Sequence, residues 1–476
     1  MTTTISVLDH KADPSGATKA TASIQAALDA AGAAGGGTVV VPPGRYLIGT
    51  IRLRSNVRLH LELGSTLVGS PDIDDYEDEN EGHVPPEFPY VRCLVVGFDL
   101  ENVEISGGGT VDGAGGAFMD YSAPTYDETF TKEAYAAMPA DRRDEYVSEH
   151  GGKRPTWIFF LRRCRNVRFR DFRIVDVARW TARFSRCENI LMNGLFIEND
   201  LRAANSDGMH FTSCRNIVVS DCTIQSGDDC IAITNYGDND ADTSGAVVTN
   251  CVFTSHSAGI RIGFAKQGLL EDVTVSNCVF RRCNRGIGIF CGPDAIVRHV
   301  NISNLQMSTR LIAGTWWGKA EPFMITTLGK GALIEDINVS NVSARGEQGI
   351  VVNATPGSTV RNITFSDVRL RIVAGPMTPF SGGTYDLRPL SMERRALPAI
   401  IADGVDSLTL RNVDVSIDEA AREHFPNAVE FVNCRGLAIE GLRERATPGR
   451  GGAAPTRVGA SVGGPGAGRP STGGAT

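Results

Sequence analysis

The chain has 476 residues, 42% of them hydrophobic, and a formal net charge of -8 at pH 7. This length and apolar content allow a large core, arranged in several domains or in one extended repeat structure. Acidic and basic residues are mixed along the chain, so we expect neither nucleic acid nor a membrane as a partner. No apolar run approaches the ~20 residues of a membrane span. The N-terminus lacks the features of a secretory signal, which predicts a cytoplasmic protein unless the sequence is a mature secreted form.

The first predicted elements are a helix and a strand. Ile24, Ala27, Leu28 and Ala31 recur at helical spacing, and the glycines that follow end the helix before an apolar strand and a Pro-Pro-Gly turn. Residues 71–155 then become irregular, with aromatic and charged residues interspersed. This composition predicts a loop-rich insertion with a helix rather than layers of core strands.

A short unit recurs between residues 156 and 445. Copies begin with CRNVRFRDFRIV at Cys164, CENILMNGLFIE at Cys187 and CRNIVVSDCTIQ at Cys214, so the starts lie 23 and then 27 residues apart. Each copy has short alternating strands interrupted by Asn, Ser, Asp or Gly. Repetition with this period predicts a solenoid, and units made of strands alone predict an all-β parallel β-helix with the short helix as its cap. A β-propeller, the alternative, needs about forty residues per unit.

The repeat sets the predicted domain organisation. We expect one β-helix domain over residues 1–445 and a disordered Gly/Pro/Ala-rich tail over residues 446–476, which has too few large apolar residues to fold alone. The eleven cysteines are scattered and form no CxxC pair. Buried reduced thiols therefore fit this chain better than disulfides or zinc ligands. The sequence leaves the oligomeric state open.

Stacking the coils predicts which residues are neighbours, because successive coils of a β-helix lie roughly 4.8 Å apart and equivalent residues form columns. Four segments align: SDGMHFT (206–212), DDCIAIT (228–234), SAGIRIG (257–263) and NRGIGIF (284–290). The inward columns are Met209, Ile231, Ile260, Ile287 and Phe211, Ile233, Ile262, Ile289. The outward column is His210, Ala232, Arg261, Gly288, and the place before the strand holds Asp207, Asp229, Ala258, Arg285.

This alignment brings three aspartates together. Asp207 and Asp229 occupy equivalent places one coil apart, and Asp228 immediately precedes Asp229. Carboxylates this close repel, so at least one has a raised pKa and keeps a proton near neutral pH. A protonated carboxyl beside an ionised one is the arrangement of an acid/base hydrolase. Aspartate is also an ordinary turn residue. However, Asp207 is in register with Asp229, and His210 and Arg261 flank the pair, which favours a functional cluster over capping turns.

These residues resemble a known family. Asn205-Ser206-Asp207 followed by Gly227-Asp228-Asp229 within a right-handed β-helix is similar to glycoside hydrolase family 28, the polygalacturonases and their relatives, and the likeness extends from VVVPPGRY to about residue 372. The resemblance implies inverting hydrolysis of glycosidic bonds in pectin without a metal or organic cofactor. Asp228 would be the general acid. Asp207 and Asp229 would hold and deprotonate the water, and Asn205 would orient the cluster.

The residues around the cluster depart from the family pattern. Ser257-Ala258-Gly259 stands where the family has Gly-His-Gly, so the supporting histidine is missing, and His256 two places earlier is the candidate replacement. Gly288-Ile289-Phe290 stands where the family has the substrate-binding Arg-Ile-Lys. This change removes two cations and predicts Phe290 as an aromatic surface that stacks on a sugar.

Other cations lie near the lost pair. Arg261 replaces a small residue of the family pattern, and Arg285 lies in the predicted column of Asp229. Arg261 is predicted either to bind a uronate carboxylate or to pair with Asp229. Together with Asn205, His210, His256 and Phe290, these arginines form the predicted substrate-binding set.

The leading hypothesis is therefore an inverting glycoside hydrolase of pectin-derived or related oligosaccharides, exo-acting because the insertion at 71–155 would close one end of the groove. Two alternatives remain. One is a β-helix polysaccharide lyase that holds Ca²⁺ on the aspartates and uses Arg261 as the base, although Ca²⁺ prefers more oxygen ligands than three carboxylates supply. The other is a non-catalytic carbohydrate-binding β-helix, suggested by the missing histidine and cation pair.

Overall fold

The chain winds as a right-handed parallel β-helix, as the repeat predicts. The computed structural model describes residues 3–79, 90–122, 132–137, 139–140, 146, 148, 152–235, 242–265, 268–312, 318–375 and 396–445. Within these residues the strands form two parallel sheets, one of 12 strands and one of 23 strands that covers two sides of each coil. The predicted tail at 446–476 lies outside the described residues. No described helix is long and apolar enough to cross a membrane.

Strands are numbered in chain order. The twelve-strand sheet contains β5 Ile51–Arg52, β8 Cys93–Phe98, β11 Trp157–Arg162, β14 Trp180–Ser185, β17 Met209–Thr212, β20 Ile231–Thr234, β23 Ala258–Ala265, β25 Arg285–Cys291, β27 Phe323–Thr327, β29 Ile350–Asn353, β31 Ile400–Asp403 and β33 Val429–Val432. The helices are α1 Thr21–Ala33 and α2 Lys132–Ala137, with 3-10 turns at Val7–His10, Ile73–Asp75, Gly115–Ala117 and Glu419–Ala421.

The twenty-three-strand sheet contains β1 Thr4–Ser6, β2 Ser15–Lys19, β3 Gly37–Val41, β4 Gly44–Ile48, β6 Val57–Leu61, β7 Ser65–Gly69, β9 Glu101–Gly107, β10 Thr110–Asp112, β12 Arg165–Arg170, β13 Arg173–Val175, β15 Glu188–Asn193, β16 Phe196–Glu198, β18 Arg215–Ser220, β19 Thr223–Ser226, β21 Thr243–Thr249, β22 Val252–Ser255, β24 Gly268–Cys283, β26 Ala295–Thr309, β28 Leu333–Gly346, β30 Thr359–Ile372, β32 Val405–Ile417, β34 Ala438–Glu440 and β35 Arg443–Arg445.

The predicted columns are confirmed by the strand register. Met209 pairs with Ile231, Ile231 with Ile260 and Ile260 with Ile287, and the second inward column pairs in the same way. All of these apolar side chains are 0 or 1% exposed. A one-residue slip would move both columns out of the core, so the buried apolar face fixes the register on which the site depends.

A ladder of asparagines runs along the solenoid at the second residue of β9, β12, β15 and β18. Asn102, Asn166, Asn189 and Asn216 all have φ between 55 and 57°, the left-handed region that asparagine tolerates. Each side-chain amide donates to the side-chain oxygen of the preceding rung, at 2.9, 3.0 and 2.9 Å. The ladder explains why each repeat copy carries an asparagine soon after its first residue. All eleven cysteines are free and ten are buried, as predicted.

The amino end of the solenoid is capped by α1. Ile24, Ala27, Leu28 and Ala31, the residues predicted to face the core, are fully buried. The helix begins at Thr21 and ends before the glycine run at 35–37, as the sequence predicts. Its small apolar face covers the inner surface of the first coils, which would otherwise be open to water.

The predicted insertion at 71–155 includes a coil of the β-helix. Strands β8, β9 and β10, which span residues 93–112, form a full coil that pairs with β5, β6 and β7 on one side and with β11, β12 and β13 on the other. The alternation in VEISG and the apolar run CLVVGF are ordinary strand patterns. The irregular sequences on either side of them conceal these patterns. The helix expected in this region is present as α2.

We predict that the asparagine ladder stabilises the fold through both its backbone geometry and its hydrogen bonds. Asn189→Ala removes two ladder bonds and puts alanine at φ 57°, so the free energy of unfolding falls by about 2 kcal/mol. Asn189→Gly keeps the backbone geometry and costs about 1 kcal/mol. Urea unfolding measures both values, and equal losses would contradict a contribution from the left-handed conformation.

Candidate active site

The strand register brings the three predicted aspartates together. Asp207 lies two residues before β17, and Asp228 and Asp229 lie just before β20. The backbone of the two turns is paired, because the amide of Gly208 donates to the carbonyl of Asp229 at 2.9 Å. One carboxylate oxygen from each aspartate lies within 4.8 Å of the others. All three residues are buried, with exposed fractions of 2, 8 and 5% in chain order.

The turn that carries Asp228 and Asp229 is fixed by its neighbours. A Cβ at Gly227 would lie 2.4 Å from the carbonyl oxygen of Ala203, so only glycine allows this close approach. The hydroxyls of Ser226 and Ser255 both donate to the carbonyl of Asp228 at 2.6 Å. These contacts hold the backbone of the acidic pair at one place relative to the adjoining coils.

The aspartates line a cavity of about 160 Å³. Its walls are Trp180, Asn205, Asp207, Asp228, Asp229, Ser257, Ala258, Arg261, Arg285 and Phe290. The structure therefore brings together the three predicted catalytic residues and four of the predicted substrate-binding residues. His210 and His256 do not line this cavity.

Asp229 is bonded through both of its carboxylate oxygens. Its Oδ1 atom accepts hydrogen bonds from the hydroxyl of Ser257 at 3.1 Å and from the amide of Ala258 at 3.3 Å. Its Oδ2 atom accepts from Nε of Arg261. Of the two roles predicted for Arg261, pairing with Asp229 is the one present. Burial opposes the charge of Arg261, but the three aspartates outweigh burial and raise its pKa.

Asp228 is a carboxyl whose surroundings favour the protonated form. Burial raises its pKa well above the ordinary value, and the charges of Asp207 and Asp229 raise it further. Its Oδ1 atom accepts from the amide of Asp229 at 2.9 Å, and its Oδ2 atom accepts from Nδ2 of Asn205 at 3.3 Å. Asn205 thus orients the group, as the resemblance implies, from a left-handed backbone conformation with φ 56°.

Asp207 is positioned by His210. Nε2 of His210 lies 2.7 Å from Oδ2 of Asp207, and the imidazole stacks on Trp180 with ring centroids 3.7 Å apart. Burial, followed by the charge of Arg261, lowers the pKa of His210 well below its usual range, so the ring is neutral. Burial and the charge of Asp229 raise the pKa of Asp207. Trp180 covers the ring of His210 and leaves the residue 1% exposed, so its contact in this structure is with Asp207, and its predicted contact with substrate stays a prediction.

His256, the other predicted histidine, lies outside the catalytic cavity. It follows β22, and its amide donates to the carbonyl of Ser226 at 3.2 Å, which continues the strand pairing past Ser255. Its side chain therefore lies with Thr254 in a different depression, beside Asp200. Burial lowers its pKa to about 4. The missing histidine of the Gly-His-Gly triplet is not replaced by His256.

Phe290 lies in the cavity wall with its ring packed against its neighbours, and its stacking on a sugar stays a prediction. The residue is 1% exposed, its ring packs 5.2 Å from that of Phe264, and the guanidinium of Arg285 lies 5.1 Å above it. Arg285 in turn donates from Nη2 to Oε1 of the fully buried Glu321 at 3.1 Å. Phe290 thus supports Arg285, and Arg285 carries the charge that faces the cavity.

Comparisons with known proteins identify the family of the chain. The sequence model of glycosyl hydrolases family 28 matches residues 37–379, most of the chain. The chain belongs to this family. It is 27% identical to a probable polygalacturonase of Vitis vinifera over 54% of this chain and 50% of that protein. It is also 27% identical to an exo-poly-alpha-D-galacturonosidase of Dickeya chrysanthemi over 48% of this chain and 41% of that protein. The chain thus matches about half or less of these relatives' lengths.

Solved structures of the family share the fold. A family 28 exopolygalacturonase of Yersinia enterocolitica superposes with a TM-score of 0.66 at 19% identity, covering 95% of this chain and 79% of that one. A hyperthermoactive exopolygalacturonase of Thermotoga maritima superposes with a TM-score of 0.59 at 21% identity, covering 78 and 87%. At these identities the likeness supports the right-handed β-helix alone.

This family 28 site also contains residues that the sequence did not reveal. Arg154 is 1% exposed and donates to the carbonyls of Ala178 and Ala204, both at 2.7 Å, and to Oδ1 of Asn205 at 3.0 Å. It holds Asn205, which holds Asp228. Trp180 is the second such residue. In the sequence, Arg154 is marked by an Arg-Pro pair before the apolar strand β11, and Trp180 is the first residue of β14. Neither pattern indicates a role in the site.

We predict that Asp228→Asn stabilises the fold in a pH-dependent way. The folded-state pKa of Asp228 is raised, so the wild type loses stability as pH rises from the unfolded value towards the folded one. Asparagine carries no charge and avoids this loss. The variant is expected to gain on the order of 1 kcal/mol at pH 8, since one pKa unit is worth about 1.4 kcal/mol, and nothing at pH 4. Denaturant unfolding at the two pH values measures this, and Asp221→Asn in an exposed turn is the control.

Proposed function

We propose that the protein is a glycoside hydrolase that cleaves glycosidic bonds in pectin-derived oligosaccharides by acid/base catalysis. The observation that carries the proposal is the inequality of three buried carboxylates in one cavity. Burial and the neighbouring carboxylates raise the pKa of Asp228, whereas Asp229 accepts a hydrogen bond from Arg261. A candidate acid therefore lies beside carboxylates that are bonded differently from it. Membership of family 28 supports the same chemistry.

Each aspartate has a distinct role in the proposed reaction. Asp228 donates its proton to the glycosidic oxygen as the bond from the anomeric carbon to that oxygen breaks. A water between Asp207 and Asp229 attacks the anomeric carbon and transfers a proton to the cluster. Asp207 fits the base best, because its Oδ1 atom has no hydrogen-bond partner among the described residues and its Oδ2 atom is positioned by Nε2 of His210. Asp229, bonded through both oxygens, helps to orient the water.

The proposed stereochemical outcome is inversion, on the strength of the family resemblance. The nearest carboxylate oxygens of the three aspartates lie within 4.8 Å of one another. The carboxyl groups of inverting enzymes are usually roughly 6.5–9.5 Å apart. The separation therefore does not support inversion by itself. Proton NMR of the first product formed decides the point: an anomer opposite to that of the substrate supports inversion, and the same anomer contradicts it.

The substrate is proposed to be a uronide that is cleaved from a chain end. Arg261 and Arg285 supply guanidinium groups in the cavity wall, and guanidinium binds carboxylates bidentately. The cavity of about 160 Å³ is smaller than the other depressions described on this chain, which favours the binding of a chain end. One of the curated relatives is named as an exo-acting galacturonosidase. A fast fall in polymer viscosity with little reducing sugar would contradict exo action.

The lyase alternative is less well supported. A base must release its proton, but the guanidinium of Arg261 is paired with Asp229 and has a raised pKa. The three carboxylates are close enough to share a cation, yet they supply fewer oxygens than the six to eight that Ca²⁺ takes. A lyase would form an unsaturated product that absorbs in the ultraviolet and would lose activity with a chelator.

We predict that Asp228→Asn lowers kcat on galacturonide oligosaccharides by at least about a hundredfold, because general acid catalysis supplies about that factor. Substrate binding is expected to remain, since the cavity keeps its shape and its arginines. Asp221→Asn is the matched control with full activity. Reducing-sugar release from a panel of galacturonides, rhamnogalacturonan fragments and neutral oligosaccharides measures the effect. Cleavage that is indifferent to Asp228→Asn would refute the proposed mechanism.

We predict that Arg261→Gln moves the pH profile of kcat/KM to higher pH. Arg261 lowers the pKa of both Asp207 and Asp228, so removing its charge raises both pKa values. Base and acid limbs are each expected to shift upward by about one pH unit. Arg285→Gln is the control. It also removes a cation from the cavity wall, but Arg285 is paired with Glu321 rather than with a catalytic aspartate. It is expected to raise KM without moving the profile. A downward shift in Arg261→Gln would overturn the assignment.

A further inference from the structure

A groove rich in arginine lies on the outer face of the twenty-three-strand sheet, over the last coils. Two adjoining depressions of about 540 and 710 Å³ form it, and both are lined by Gln306, Ser343, Arg369, Asp414 and Arg445. We call it the arginine groove and define it by Arg281, Arg345, Arg369, Arg371, Arg443 and Arg445. It shares no lining residue with the catalytic cavity.

Strand register places five of these arginines, all but Arg281, in two parallel columns. One column pairs Ser308 with Arg345, Arg371, Ser416 and Arg445 on successive strands β26, β28, β30, β32 and β35. The other pairs Gln306 with Ser343, Arg369, Asp414 and Arg443. Residues between the columns, such as Leu370, face the core and are buried. Guanidinium groups therefore recur along the solenoid axis at intervals set by the coil spacing of roughly 4.8 Å.

The charge of the groove is not neutralised by the protein. Its six arginines face two lining carboxylates, Asp367 and Asp414. Asp414 pairs with Arg445 at 2.7 Å, and Arg371 pairs with Asp418 at 3.0 Å. Three groove arginines, Arg281, Arg345 and Arg369, have no carboxylate of the described residues within ion-pair distance. All three are exposed. This excess is local, since the whole chain has a net charge of -8.

The neighbouring chain segments do not supply the missing negative charge. Residues 376–395, which follow β30, contain three arginines and two acidic residues. Residues 446–476, which follow β35, contain three arginines and no acidic residue. Neither segment complements the groove electrostatically. The charge instead matches an external polyanion whose negative groups repeat along its length.

We propose that the arginine groove binds a second stretch of an anionic polysaccharide that carries one carboxylate per sugar. The inference rests on the proposed function in taking a polyuronide as the substrate, and it adds a binding site outside the cavity. Carboxylates along such a chain meet guanidinium groups that recur along the solenoid. A chain held there stays near the enzyme, which raises the local concentration of its ends at the cavity.

Binding is tested with full-length protein that carries Asp228→Asn, so that the polymer is not degraded. The groove variant adds Arg281→Gln, Arg345→Gln and Arg369→Gln. Its matched control adds Arg165→Gln, Arg168→Gln and Arg215→Gln, which remove the same charge from exposed positions on the amino-terminal coils of the same sheet. Unfolding midpoints establish that both variants are folded. The probes are long-chain polygalacturonate, its fully methyl-esterified form and duplex DNA.

We expect the groove variant to bind polygalacturonate about tenfold more weakly than the parent at low salt, because each exposed charge contact changes affinity by at most a few fold. The control variant should bind as the parent does, and the esterified polymer should bind none of them. Added salt should reduce the difference. Equal affinity of groove and control variants, or equally tight binding of duplex DNA to the parent, would overturn the inference.

Kinetics with Asp228 intact separate this inference from the proposed function. The groove variant should raise KM for the polymer and leave kcat/KM for a galacturonate dimer unchanged. If the enzyme cleaves the dimer but the groove variant binds the polymer normally, the groove inference fails and the hydrolase survives. If no uronide is cleaved but the groove variant still loses polygalacturonate binding, the hydrolase proposal fails and the groove remains a polyuronide site.

Discussion

Parallel stacking of the coils is the constraint on which the site depends. Because each strand pairs with its equivalent in the next coil, turn residues such as Asp207 and Asp229 become neighbours although 22 positions separate them in the sequence. The apolar columns led by Met209 and Phe211 hold that register, since any slip would expose them. The same stacking that builds the core therefore forces negative charges together at its edge.

Crowding three carboxylates in a buried cavity is unfavourable unless their charges are reduced or compensated. The structure does both, and does so unequally. Asp229 accepts hydrogen bonds from Arg261, Ser257 and the amide of Ala258, whereas Asp228 accepts from a backbone amide and from Asn205 and has a raised pKa. This unequal bonding, rather than the mere presence of the aspartates, gives the carboxyls different roles. Asn205 and Arg154 maintain it by fixing where Asp228 lies.

Sequence patterns predicted the parts of the molecule that repeat. The cap helix, the inward columns and the aspartate cluster all follow from spacing, and spacing is preserved along a solenoid. Spacing does not show where another coil covers a residue. The column of His210 faces outward, but Trp180 from the preceding coil lies over it, and Phe264 from the preceding coil packs against Phe290. Arg154 reaches the site from an irregular segment, so no periodicity marked it. The coil at 93–112 was missed for a similar reason, since irregular flanks concealed it.

The replacement of the family's Arg-Ile-Lys triplet is a coupled change rather than a simple loss. A Cβ at Gly288 would lie 2.4 Å from the ring of Phe290, so the ring occupies its place only because Gly288 has no side chain. That ring supports the guanidinium of Arg285, which Glu321 holds from the other side. Glycine, phenylalanine and arginine thus form one unit that puts a cation back into the cavity wall. An arginine restored at position 288 alone would displace Phe290 and remove the support of Arg285. The cation content of the cavity therefore depends on all three positions together.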